Sequence, residues 1–189
     1  MKKWILGFLI LSFLQTTSAY ALVLEFSPFS STVSWGDSFG VDLVLSDRVN
    51  PVGAFDLDVA YDSSILTVTG IVFGTSLGNP IETIESFDLS GSGVADLLQI
   101  SLLPVLQLDL LQPPSFSLAT IFFDAVGLGS SSMVFSQAII SDASGATLFP
   151  ELVTGQVEVM APVPEPSTFL LLGGGLAGLA FYARRRKKE

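Results

Sequence analysis

The sequence predicts an all-β domain, an antiparallel two-sheet β-sandwich of Greek-key or jelly-roll type. We expect an N-terminal signal helix and a C-terminal transmembrane helix to flank it. Three observations predict the sandwich. Short apolar or alternating runs fill the middle of the 189-residue chain, turn-forming Gly, Pro, Asn, Asp and Ser residues separate them, and no long stretch there repeats at the helical period.

The strongest strand pattern lies at residues 55–62, where apolar and mostly acidic residues alternate. In a strand, alternate side chains point to opposite faces of the sheet. Phe55, Leu57, Val59 and Tyr61 therefore face the core, whereas Asp56, Asp58, Ala60 and Asp62 face solvent. Similar runs predict strands at residues 22–27, 39–46, 65–73, 94–103, 131–140 and 152–160. Residues 116–126 are apolar on both faces and predict a central strand, residues 105–114 a loop or weak strand, and residues 81–89 are ambiguous.

The N-terminus has the three parts of a secretory signal peptide. Lys2 and Lys3 form a positive region, residues 5–14 an apolar region, and Ala19 and Ala21 a small-x-small cleavage site. We expect cleavage after Ala21, because a retained signal anchor would need a longer apolar run. Residues 22–160 therefore fold as one exported domain.

Composition limits what that domain does. Residues 22–162 contain one basic residue, Arg48, and 16 acidic residues, which gives a net charge of −15. Such a surface repels nucleic acid and anionic lipid. The chain has no cysteine, hence no disulfide, and no histidine, which excludes Ser-His-Asp and Cys-His nucleophile systems.

Candidate sites in the domain are few. Asp56 and Asp58 share a strand face roughly 7 Å apart, a spacing that suits paired catalytic carboxylates but also any solvated strand face. Trp35 and Tyr61 are candidates for stacking on a sugar ring, although Tyr61 more simply caps the core. On balance we predict no catalytic residue, no metal and no cofactor.

Two turns, Asp62-Ser63-Ser64 and Asp142-x-Ser144-Gly145, carry oxygen donors that suit Ca²⁺. Neither has the dense acidic ligand order of a calcium loop. A solvated turn is the preferred interpretation of both.

The C-terminal segment, residues 161–189, has three parts. A sorting motif precedes an apolar run at residues 169–183, which as a helix would be about 22 Å long against a hydrocarbon core of about 30 Å. A basic cluster follows and favours the cytoplasmic side. The motif consists of Val163, Pro164, Glu165, Pro166, Ser167 and Thr168, and the stop-transfer cluster of Arg184, Arg185, Arg186, Lys187 and Lys188.

This order of parts resembles the PEP-CTERM sorting signal of Gram-negative bacteria. The resemblance implies that an exosortase, a membrane-embedded cysteine transpeptidase, recognises and cleaves the segment. The chain would be anchored transiently in the inner membrane and then reach the cell surface or the exopolysaccharide matrix. A plain membrane-anchored ectodomain is the alternative.

The middle of the chain is similar to cohesin domains. The similarity lies in residues 36–43, in 53–62 with 65–70, in 118–127 and in 154–159, within residues 22–160. It implies a cohesin-like sandwich, related to carbohydrate-binding modules, and a dockerin-like partner. We therefore expect a non-catalytic surface or matrix protein that binds a protein or a polysaccharide. A small polysaccharide-acting hydrolase is the alternative.

Overall fold

Residues 21–91, 93–162 and 166–186 are described by a computed structural model, in which two β-sheets pack face to face. The elements in chain order are β1 (Val23–Ser27), β2 (Ser30–Ser34), β3 (Ser38–Ser46), β4 (Val52–Ala60), β5 (Leu66–Phe73), β6 (Thr83–Asp88), β7 (Val94–Ser101), α1 (Val105–Leu111), β8 (Phe116–Ala125), β9 (Gly129–Asp142), β10 (Thr147–Leu148), β11 (Glu151–Leu152), β12 (Gly155–Met160) and α2 (Pro166–Arg186).

One sheet has five strands in the order β11-β1-β3-β8-β5. The other has seven, in the order β2-β12-β9-β4-β7-β6, with β10 paired to β9. The predicted two-sheet sandwich is therefore confirmed. The apolar strand predicted at residues 116–126 is β8, which has a neighbour on each side as expected, and the ambiguous residues 81–89 contain β6.

The expectation of a purely antiparallel sandwich is wrong at two pairings. β1 pairs with β11 in parallel, and β2 pairs with β12 in parallel. The reason lies at Pro28, which ends β1; the chain then enters the other sheet as β2. Short strands therefore close an edge of each sheet.

The core lies between the sheets and comes from alternate residues of both. Leu24, Leu43, Leu57, Leu97 and Leu118 are fully buried. Aromatic rings join the layers: the Phe26 and Phe135 rings stack with centroids 4.3 Å apart, and Tyr61 meets Phe123 edge-on at 5.4 Å. Every residue of the described buried core lies between Leu24 and Val159, so residues 22–162 contain the whole of this core.

α1 differs from the loop or weak strand predicted at residues 105–114. Pro104 precedes the helix, and Leu108 is the residue that α1 buries. Leu106 and Leu110 are 74% and 83% exposed. The leucine-rich run therefore forms a surface helix whose apolar side chains mostly remain in solvent.

The tail forms α2, which begins at Pro166, a favourable first position because proline lacks the N–H that would be unpaired there. Among the described residues no helix has both the length and the apolar character needed to cross a membrane. The predicted transmembrane helix is thus not confirmed; its apolar run is only 15 residues long and contains four glycines. The signal helix predicted in residues 1–20 lies outside the described residues.

Candidate binding face

Carboxylates collect on the outer face of the seven-stranded sheet. In β4 the side chains of Phe55 and Leu57 are buried in the core, so Asp56 and Asp58 point to the outer face. The antiparallel register with β7 sets Asp58 directly opposite Asp96. The alternation predicted from residues 55–62 is thus confirmed, and pairing with β7 adds a third aspartate.

Asp56, Asp58 and Asp96 form what we call the aspartate cluster. Each contributes a carboxylate oxygen, and these oxygens all lie within 4.8 Å of one another. Asp88 of β6 is paired with Asp96 from the other side. Partial burial, and then repulsion from Asp58, Asp56 and Asp88, raise the pKa of the Asp96 carboxyl above its ordinary value of 3.8. The cluster therefore favours an approaching positive charge.

The cluster lies on an open sheet face, whereas catalytic carboxylates usually line a cleft that holds the substrate. The groove between β5 and β6, described below, is lined by other residues. The arrangement therefore fits attraction of a cationic group better than catalysis by Asp56 and Asp58.

Exposed isoleucines lie on the same face, next to the aspartate cluster. Ile84 of β6 and Ile100 of β7 are cross-strand partners, and Ile139 of β9 pairs with Asp56. They are 52%, 38% and 51% exposed. We call these three residues the isoleucine patch. It lies towards the end of the sandwich at which β7 leads into α1.

The two turns weighed above as calcium ligands each use one aspartate oxygen in internal hydrogen bonds. Asp62 Oδ1 accepts hydrogen bonds from the backbone N–H and the hydroxyl of Ser64 at 2.9 and 2.6 Å. Asp142 Oδ1 accepts those of Ser144 at 2.8 and 2.7 Å and the N–H of Ala146 at 2.9 Å. These bonds lower the pKa of both carboxyls and support the preferred interpretation as solvated turns.

Trp35 and Tyr61 do not form an aromatic row. The Trp35 indole is 56% exposed and donates from Nε1 to the Val126 carbonyl at 3.1 Å. Tyr61 packs against the core, as the capping interpretation predicted. The strand positions that make up the outer face of the seven-stranded sheet, in the described part of the chain, carry no aromatic side chain.

The predicted sorting residues are only partly described. Pro166, Ser167 and Thr168 form the start of α2, and Arg184, Arg185 and Arg186 form its end. Ala21 opens the described chain just before β1. Ala19, Val163, Pro164, Glu165, Lys187 and Lys188 lie outside the described residues.

Sequence reasoning missed Asp96 and the isoleucine patch. The sequence alternation separates the two faces of β7: one face carries Ala95, Leu97 and Gln99, and the other carries Asp96, Leu98 and Ile100. The sequence does not give the strand register. Only the pairing of β7 with β4 and β6 brings Asp96 beside Asp58 and Ile100 beside Ile84.

The tail matches a known family model. Residues 162–187 match the PEP-CTERM protein-sorting motif. No curated protein matches the chain closely enough to count as a relative. The motif covers only the tail and says nothing of the sandwich.

The sandwich is similar to solved cohesins at low sequence identity. CaCohA2 from Clostridium acetobutylicum is 20% identical with a TM-score of 0.60, over 76% of this chain and 94% of that one. A chain of a type I cohesin–dockerin complex from Clostridium thermocellum is 18% identical with a TM-score of 0.60, over 74% and 98%. A non-cellulosomal cohesin from the archaeon Archaeoglobus fulgidus is 15% identical with a TM-score of 0.55, over 79% and 94%. The chain thus joins a sandwich of cohesin-like fold to a PEP-CTERM protein-sorting motif.

Proposed function

We propose that this chain is an exported protein of a Gram-negative bacterium, sorted to the cell surface or the exopolysaccharide matrix, where its sandwich binds a protein partner without catalysis. The sorting motif at residues 162–187 supports the destination. The aspartate cluster beside the isoleucine patch supports the binding role.

For sorting, the proposal includes a signal peptide at residues 1–21 and a tail at residues 161–189. The tail attaches the chain transiently to the inner membrane, and an exosortase-type transpeptidase then cleaves it. The order of the Pro-Glu-Pro element, apolar run and basic cluster supports this step, since each part occupies its expected place.

For binding, the observation that carries the proposal is the isoleucine patch. Exposed apolar side chains grouped on one sheet face favour a protein interface, whereas sugar rings are usually held by aromatic side chains. The aspartate cluster beside it adds a preference for a partner with a basic residue next to its apolar contact. One of the similar chains comes from a cohesin–dockerin complex, which supports a protein partner here too.

The absence of an enzymatic role is part of the proposal. The chain lacks histidine, the usual general base near neutral pH. The carboxylates of its aspartate cluster lie on an exposed face. These features weigh against the hydrolase alternative.

The binding role is tested with residues 22–162 immobilised and exposed to the host's secreted proteins and, separately, to its exopolysaccharide. The test variant carries Ile100→Ser and Ile139→Ser, and the control carries Leu128→Ser, another exposed apolar residue. We expect the wild type and the control to retain a protein that the test variant loses, with affinity reduced about tenfold or more.

Retention of the exopolysaccharide rather than a protein, or of a protein equally well by all three forms, would contradict the proposed face. Circular dichroism of the three forms provides the folding control, because serine at these exposed positions should leave the sandwich intact.

A further inference from the structure

A groove lies along the open side of the sandwich, between the last strands of the two sheets, β5 and β6. Its volume is about 420 Å³. Ile71 and Phe73 of β5 form one wall, Phe87 of β6 forms part of the other, and Pro80 also lines the groove. The groove is distinct from the outer face that carries the aspartate cluster.

Glu85 in the wall of the groove bonds to two polar side chains behind it. Glu85 Oε1 accepts hydrogen bonds from Gln99 Nε2 at 3.0 Å and from the Thr83 hydroxyl at 2.8 Å. Gln99 Nε2 also donates to the Gly74 carbonyl at 3.4 Å, which uses both of its protons. The Oε1 atom of Gln99 is buried without a hydrogen-bond partner, so this group of side chains includes an unpaired acceptor.

The same strand offers a backbone edge that has no neighbour among the described strands. β6 is the last strand of its sheet. The hydrogen bond from Leu102 N–H to the Glu82 carbonyl, 2.8 Å long, shows which residues of β6 direct their backbone groups towards β7. In an antiparallel pair, alternate residues direct their backbone groups to opposite sides. The N–H and C=O groups of Thr83, Glu85 and Phe87 therefore point to the open edge.

We propose that an extended segment of a partner protein adds to β6 as a further strand and inserts a lysine or arginine side chain into the groove. Backbone pairing would supply affinity, and the groove would select side chains at alternate positions. Glu85 would receive the positive charge, while Phe73 and Phe87 would contact its apolar stem and the next inward side chain.

Charge identifies the occupant as another protein. Within residues 22–162 the single basic residue is Arg48, whose guanidinium already bonds to Asp109 and to the Gln112 carbonyl. A second copy of the domain therefore has no free basic strand to donate. The arginines at the end of the tail lie in α2 rather than in a strand.

The test is a nuclear magnetic resonance titration of residues 22–162, which contain the whole described core. The probe is an acetylated, amidated valine–threonine–lysine–threonine–valine peptide, in which lysine and both valines share one face. We expect saturable amide shifts along β6 and at Gly74. Glu85→Gln should weaken binding about fivefold, as loss of one partly exposed ion pair predicts, whereas Glu158→Gln on β12 should not.

Two modified peptides separate the parts of the proposal. Replacing lysine by norleucine should weaken binding to wild type about as much as Glu85→Gln does, and should have little further effect on that variant. N-methylation of the backbone on the β6-facing side should abolish the shifts, because strand addition needs those donors. Absence of saturable shifts would overturn the proposal. Glu85 would then be a charged edge residue that prevents β6 from pairing with other chains. Binding that N-methylation leaves unchanged would equally overturn it.

Discussion

At the scale of single residues, the sequence pattern predicts which face of its strand Asp96 occupies but not which residues surround it. The alternation in β7 separates Asp96 from the buried Ala95 and Leu97. Its environment depends on a cross-strand partner, because Asp58 lies opposite it and Asp88 lies on its other side. A one-residue change in register would turn all of β7 over, so spacing along the chain could not identify the cluster.

We predict that Asp96→Asn stabilises the domain at neutral pH by about 0.5 kcal/mol, since like charges directly opposite each other in a sheet are destabilising. The raised pKa of Asp96 means that the folded state binds the proton more tightly than the unfolded state. The cost is therefore absent below the ordinary pKa of 3.8 and appears as pH rises above it.

Urea unfolding of the wild type and of Asp96→Asn, from about pH 3 to about pH 7, measures this effect. Glu158→Gln removes one charge elsewhere on the same sheet and serves as the control. A gain from Asp96→Asn that is equal at both ends of the pH range would contradict the repulsion described for the cluster.

At the scale of elements, strands with one buried face could be predicted from the sequence, and the leucine-rich segment could not. β4 follows from strict alternation. α1 has apolar residues at most of its positions, so periodicity could not separate helix from strand. Its position depends on distant contacts: Arg48 donates to Asp109 at 3.1 Å and to the Pro113 carbonyl at 3.1 Å. The parallel pairings of β2 and β11 likewise depend on tertiary contacts between distant residues.

Gln112 provides the firmest of these contacts, and we predict that Gln112→Ala destabilises the domain by about 1–3 kcal/mol. The Gln112 side chain is 3% exposed; it accepts from Val52 N–H at 2.8 Å and donates to the Val52 carbonyl at 2.7 Å. Alanine would leave both backbone groups unpaired at the start of β4. Gln137→Ala, at an exposed position of β9, is the matched control.

Chemical denaturation of both glutamine variants gives the comparison. A Gln112→Ala domain as stable as the Gln137→Ala domain would show that Gln112 does not hold α1 against the sandwich. We also expect faster hydrogen exchange at Val52 in the Gln112→Ala domain, because its amide would lose its side-chain acceptor.

At the scale of the whole molecule, the direction of β12 relates the tail to the binding face. β12 pairs with the first part of β9, running from Met133 towards Gly129, and so reaches the sandwich end opposite α1. The isoleucine patch lies beyond Met133, towards the α1 end. A chain held by its tail would thus present the patch away from the attachment point. The acidity of the domain and the sorting motif were both predictable from sequence.

The most direct test of the proposed sorting is the intact mass and location of the mature protein in its host. We predict a chain that lacks the tail from a point within residues 163–168 and is found outside the inner membrane. Glu165→Ala should retain the tail and keep the protein with the inner membrane, whereas Glu158→Ala should be processed normally. A wild-type mature protein that still carries Arg184, Arg185 and Arg186 would contradict the proposal.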